Sequence, residues 1–123
     1  MDKRSYQAGE RICARGETGR DIFLIRRGTV RIVLPLSGKQ GHHLATFGRG
    51  DFFGEMSFLD RDVRSADAYA FTDTDVYVLV RERFDEFAEA HKKLAIQMME
   101  GLARKLAVRL RYTNAELRHL EES

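Results

Sequence analysis

The spacing of apolar residues changes at Arg81 from every second position to every third or fourth. No other feature of the sequence constrains the fold as strongly, because the two periods belong to strands and to helices. Before the switch, Val76, Val78 and Val80 share one face of a strand over 74–80, and Ala66, Ala68 and Ala70 share one over 64–71. After it, Phe84 and Phe87 stand three apart on a short helix ending near His91. A long helix follows, carrying Ala95, Met98, Met99, Leu102, Leu106, Leu110, Leu117 and Leu120. Nine of the ten glycines lie between Gly9 and Gly54, so the strands before Arg81 are joined by tight turns. Segments 21–26 and 29–34, rich in branched and aromatic residues, flank Arg27-Gly28 and predict a hairpin. Residues 35–41 read as a polar loop around the single proline, and 42–47 as the next strand. The expectation is a mainly β fold, a sandwich or jelly roll, followed by a C-terminal pair of helices.

A chain of 123 residues fits one domain with a proper core. The 21 lysines and arginines against 19 acids leave a net charge of +2, too little for an electrostatic grip on nucleic acid. The single cysteine, Cys13, excludes an internal disulfide and reads as a small core residue suited to a reducing compartment. No stretch approaches 18 consecutive apolar residues, and the start, Met-Asp-Lys-Arg-Ser-Tyr, lacks a signal peptide's apolar segment. These features predict a cytoplasmic location, either alone or as the cytoplasmic part of a membrane protein.

One segment carries chemistry. In Gly50-Asp-Phe-Phe-Gly-Glu-Met-Ser-Phe-Leu-Asp-Arg-Asp-Val-Arg-Ser-Ala66, Gly54 permits close backbone approach and 55–59 can make a short helical turn. Amides at such a start favour an anion, while the carboxylate of Glu55 there suits a neutral donor such as a sugar hydroxyl. Nine residues on, Arg64 can fold back to a phosphate with charge-assisted bonds. Together these describe a pocket for a sugar phosphate. Each residue alone has a plainer reading: Arg64 as a solvated surface arginine, Glu55 as a first-turn acid complementing the helix dipole. The combination carries the claim.

Phe53-Gly-Glu-Met-Ser-Phe-Leu59 and Arg64-Ser-Ala66 resemble the phosphate-binding cassette of cyclic nucleotide-binding domains, the family of catabolite activators, protein kinase A regulatory subunits and cyclic nucleotide-gated channels. Leu44-Ala-Thr-Phe-Gly48 and Asn114-Ala-Glu-Leu-Arg118 resemble bacterial members fused to sulfate-permease-like or anti-sigma-antagonist-type modules. The resemblance covers nearly the whole chain. It implies an eight-stranded jelly-roll barrel over about 5–80, a short cassette helix, and two C-terminal helices over about 81–121, all one domain spanning 1–123. It implies further that Glu55 accepts from the ribose 2′-hydroxyl, and that the amides of Met56 and Ser57 hold a phosphate oxygen beside Gly54. Arg64 would meet the phosphate charge, and Ser65 would donate to phosphate or purine. Val63 departs from the proline that many members have before the arginine, which removes rigidity but no ligand contact. The last helix would cap the base through Arg109, Arg111 or Tyr112, since an arginine plane or tyrosine ring stacks on a purine.

Other features carry less. Gly48-Arg-Gly-Asp-Phe-Phe-Gly54 is not a dinucleotide fingerprint, because its third glycine comes one residue late and no long helix follows. Adjacent His42 and His43 on a strand point to opposite faces and cannot share a metal ion. No nucleophile–base pair or carboxylate dyad is present, so an enzyme is not expected, nor a cofactor. The expected function is a regulatory module that binds cyclic AMP, or less favourably cyclic GMP, and relays occupancy through its C-terminal helices to an output domain elsewhere in a larger protein. The alternative is a ligand-free jelly-roll module for interaction or dimerisation. Leu106, Leu110, Thr113, Leu117 and Leu120 at seam-like spacing predict a weak homodimer, and the chain ends before any helix-turn-helix could follow, so no DNA binding is expected.

Overall fold

In the computed structural model, residues 2–36, 39–60 and 63–122 are described, with 39–40 and 112–122 described by backbone alone. Among the described residues eight strands form two four-stranded antiparallel sheets, accompanied by three helices. The first sheet runs β1 (Asp2–Tyr6), β8 (Thr74–Val80), β3 (Asp21–Arg27), β6 (Phe52–Phe53); the second runs β2 (Arg11–Cys13), β7 (Asp67–Ala70), β4 (Val30–Leu36), β5 (Lys39–Phe47).

Alternation decides what fills the space between them. Phe23 and Ile25 of β3 and Val76 and Val78 of β8 are buried on the inner face, and Val30 and Ala68 meet them from the second sheet. Phe23 and Phe53 stack with ring centroids 4.8 Å apart. Each such side chain stabilises the fold by about 1.5–3 kcal/mol through burial. The core is therefore built from both sheets, with the larger side chains coming mainly from the first.

The hairpin expected across Arg27-Gly28 does not form. Strand β3 pairs with β8 and β6, whereas β4 pairs with β5 and β7, so the chain crosses from one sheet to the other at Gly28. Gly28 has φ +97, and a Cβ there would collide with the Asp73 carbonyl and the Thr74 side chain. The close packing of that corner turns the chain across the edge. Residues 35–36 and 39–41 belong to strands rather than to a loop, making β4–β5 a true hairpin. Strand β7 is shorter than the 64–71 segment, because Arg64–Ala66 turns away to serve the pocket described below.

Two compact units comprise residues 1–83 and 84–123. Helix α1 (Glu55–Asp60) lies in the first; α2 (Arg81–Ala90) begins directly on β8, and α3 (Lys92–Glu122) makes up most of the second. Helical hydrogen bonds continue through the α2–α3 junction, from His91 N to Phe87 O (2.8 Å) and from Ala95 N to His91 O (3.0 Å). Among the described residues no helix is long and apolar enough to cross a membrane.

Candidate functional site

The cassette predicted from sequence folds around one buried arginine. Gly54 enters α1 with φ +85, a conformation that costs an L side chain, and it also has no room for one. A Cβ at this position would sit 2.6 Å from Arg64 Nη1 and 2.8 Å from the Asp21 carbonyl. Arg64 is 5% exposed. Its Nη1 donates to Ser57 Oγ (2.6 Å), Asp21 O (2.8 Å) and Gly54 O (3.1 Å), three acceptors for two hydrogens. Ser57, 1% exposed, in turn donates from Oγ to Gly54 O at 3.2 Å. The Arg64 backbone is clamped as well: its N–H donates to Glu17 O (2.9 Å) and its carbonyl accepts from Gly16 N (2.8 Å).

The guanidinium is nevertheless incompletely satisfied. Arg64 Nε is buried and has no hydrogen-bond partner, and among the described residues no carboxylate pairs with the group. A buried cation held by neutral acceptors alone, with a free N–H, has the charge and the donor that a phosphate needs.

Arg64 lines a cavity of about 160 Å³ together with Gly54, Glu55, Met56, Ser57 and Ser65. All six cassette residues expected to bind ligand thus converge there. The rest of the lining includes an apolar wall of Ile32, Ala45, Phe47 and Ala68. The sequence alone did not assign this wall to the site, although Ala66 and Ala68, small residues of the run that was visible, line the cavity. Cys13, expected only as core, is buried and also lines the cavity. Burial pushes its thiol pKa up, and the nearby Arg64 guanidinium offsets part of that rise.

Two further arginines hold the far end of α1. Arg20 Nη2 donates to Phe58 O at 3.3 Å and its Nε reaches Ser57 O at 3.5 Å. Arg81, the first residue of α2, donates from Nη1 to the same Phe58 carbonyl at 3.0 Å and stands 5.2 Å from the Phe58 ring. Cations at a helix C-terminus complement its dipole and satisfy its orphan carbonyls. No local sequence signal marks them, since Arg20 precedes β3 and Arg81 follows β8, both distant in sequence from α1.

Arg109 and Arg111 lie on α3 in the second unit, and the Tyr112 side chain lies outside the described residues. Of the expected seam, Leu106 is half-buried and Leu110 is 61% exposed; the side chains of Thr113, Leu117 and Leu120 lie outside the described residues. His43 Nε2 meets Thr46 Oγ1 at 2.7 Å.

Comparison with known proteins agrees with this geometry. Residues 3–91 match the model of the cyclic nucleotide-binding domain. The cyclic AMP receptor protein of Thermus thermophilus is 37% identical over 117 residues, covering 95% of this chain and 52% of that protein. The solved cyclic nucleotide-binding domain from Methylobacillus flagellatus superposes with TM-score 0.83 at 28% identity, covering 89% of this chain and 61% of its own. The EAL enzyme Bd1971, solved with cyclic AMP and with cyclic GMP bound, superposes with TM-score 0.65 at 26% and 25% identity, over 85% of this chain and 28% of its own. The chain therefore spans about half the length of the receptor and less than a third of the EAL enzyme. By its matched residues, its two-sheet fold and its cassette, the chain belongs to the cyclic nucleotide-binding domain family.

Proposed function

We propose that this chain is one regulatory domain spanning 1–123 that binds one cyclic purine nucleotide in the Arg64 cavity. The observation that carries the reading is the buried Arg64 guanidinium, with a partnerless Nε and no carboxylate among the described residues. Arg64 meets the phosphate, the amides of Met56 and Ser57 hold a phosphate oxygen, and Gly54 lets the ligand approach the backbone. Glu55, at the start of α1 on the cavity wall, accepts from the ribose 2′-hydroxyl.

Cyclic AMP is the favoured ligand. The apolar wall offers no partner for the additional polar groups of guanine, and desolvating them unpaired is costly. Ser65 provides a hydroxyl for either base, so discrimination stays below about 1.5 kcal/mol, or roughly tenfold. The base is capped from α3 by Arg109, Arg111 or Tyr112. Occupancy is relayed through Arg81: it is the first residue of α2 and also holds the Phe58 carbonyl of the cassette helix. A shift of α1 on phosphate binding therefore bears on the start of the C-terminal helices. The helices pass the signal to an output domain elsewhere in a longer protein, and α3 supports a weak homodimer.

Equilibrium dialysis with labelled cyclic AMP tests the reading, with unlabelled cyclic GMP as competitor. Saturable uptake of one nucleotide per chain, displaced less effectively by cyclic GMP, is expected. More than tenfold preference for cyclic GMP overturns the choice of base; absence of uptake of either nucleotide overturns the function and leaves a ligand-free interaction module.

A further inference from the structure

Strand β3 does not end in simple alternation. Its register against β8 slips between Ile25 and Arg27, so that two consecutive arginines, Arg26 and Arg27, stand against the single Asp75. A bulge of this kind re-aims a side chain that regular pleating would send to the other face. Beside it, the turn at 48–51 is pinned to β3: Gly50 N donates to Ile25 O and Ile25 N to Asp51 O, both at 2.9 Å. The turn is closed internally by Asp51 N to Gly48 O (3.0 Å) and Gly48 N to Asp51 Oδ2 (2.9 Å). Arg49 is the side chain that this fixed turn presents.

Arg26, Arg27, Arg49 and Asp75 line an open surface depression of about 270 Å³, with the three arginines exposed, that shares no lining residue with the cassette cavity. Its one carboxylate is already engaged. Asp75 accepts from Ser5 Oγ at 2.7 Å and pairs with Arg27 at 3.1 Å. Its carboxyl is held below the usual range, first by the Ser5 hydroxyl and further by Arg27, Arg26 and Lys3, the cations that face it. Arg26 and Arg49 have no hydrogen-bond, ion-pair or ring partner among the described residues. Arg26 is the residue that the bulge skips and Arg49 lies in the turn, so strand pairing does not account for three guanidinium groups beside one occupied carboxylate. Like charges brought together repel, and a bound anion relieves that repulsion.

We propose that this depression is a second anion site, distinct from the nucleotide site, for a compact phosphate-bearing ligand with at least two negative charges. Arg26 and Arg49 supply the free guanidinium groups from two separate elements, so the ligand bridges β3 and the 48–51 turn. Arg27, shared with Asp75, completes the field. Guanidinium forks match phosphate oxygens in pairs, which favours linked phosphates over isolated carboxylates.

The experiment is calorimetric titration of the whole chain with inorganic pyrophosphate, with and without saturating cyclic AMP, at matched ionic strength. Citrate serves as the carboxylate control. Submillimolar pyrophosphate binding that persists with cyclic AMP present, and weakens by about tenfold or more in Arg26→Ala/Arg49→Ala, is expected. Both substitutions lie on the exposed surface, and unchanged cyclic AMP affinity in the double variant would show that the fold survives. The proposal is overturned by absence of pyrophosphate heat, by heat unaffected in the double variant, by equal binding of citrate, or by binding that cyclic AMP abolishes. The last outcome would assign the pyrophosphate to the cassette.

Discussion

Replacing Arg64 with methionine should separate ligand affinity from stability, because the two depend on the side chain in opposite ways. In the nucleotide-free protein the guanidinium is buried, and desolvation of such a cation costs several kcal/mol. Against this it makes charge-assisted bonds to three neutral acceptors. Removing them strands little: Gly54 O still accepts from Ser57 Oγ (3.2 Å) and Phe58 N (3.3 Å), leaving Asp21 O and Ser57 Oγ each short of one donor. Methionine fills similar length without charge, so the losses and the relieved desolvation should cancel to within about 1 kcal/mol. For a chain of this size that corresponds to a Tm change of no more than about 5 °C. The bound state has no such compensation. A phosphate deprived of its buried cation loses about 2–4 kcal/mol, or roughly 30- to 1000-fold in affinity. Denaturant unfolding without nucleotide measures the first quantity, and displacement of a fluorescent cyclic AMP analogue the second. An affinity drop of less than about fivefold, or a loss of more than about 3 kcal/mol in the free protein, would refute this separation. The latter would make Arg64 a structural cation.

Other substitutions and conditions follow the same geometry. Gly54→Ala should destabilise the free protein by at least about 1–3 kcal/mol from its positive φ alone, with the Arg64 clash added, as read by denaturant midpoint; a neutral effect would refute the close approach. Cys13 should resist alkylation in the native protein near neutral pH, because burial holds its thiol protonated, and nucleotide in the shared cavity should slow the reaction further. The sign of its effect on stability follows from a raised native pKa: the contribution is full below the ordinary thiol value and is lost as pH rises through the native one, so Cys13→Ser should flatten the alkaline fall in unfolding free energy. Light scattering should show a concentration-dependent dimer through α3, where Ile96 and Leu110 are exposed; a monomer at high micromolar concentration would rule it out.

How much of this was legible in the sequence depends on the range of the forces involved. Strand 74–80 and the switch at Arg81 were readable because alternation and helical period are local. The cassette was readable because Gly54, Glu55 and Arg64 combine a turn, an acid and a cation at a spacing that few other uses require. Alternation says that a segment is a strand, but not which sheet it joins. In a two-sheet sandwich both inner faces read alike, and so 21–26 and 29–34 looked like a hairpin although they belong to opposite sheets. Strand β1, Asp-Lys-Arg-Ser-Tyr, is an exposed edge without a period, and Phe52–Phe53 is too short to have one. The Arg20 and Arg81 contacts on α1 span 38 and 23 residues of sequence to Phe58, and the arginine cluster at Arg26, Arg27 and Arg49 depends on a bulge. Only tertiary structure brings these together.

The central claim is that Arg64 and the turn at Gly54 form a working cyclic nucleotide site, and direct calorimetry tests it most simply. Cyclic AMP titrated into the wild-type chain should give saturable heat at one nucleotide per chain, absent with adenosine, which lacks the phosphate, and greatly reduced in Arg64→Met. No heat and no rise in Tm with millimolar cyclic AMP or cyclic GMP would contradict the account.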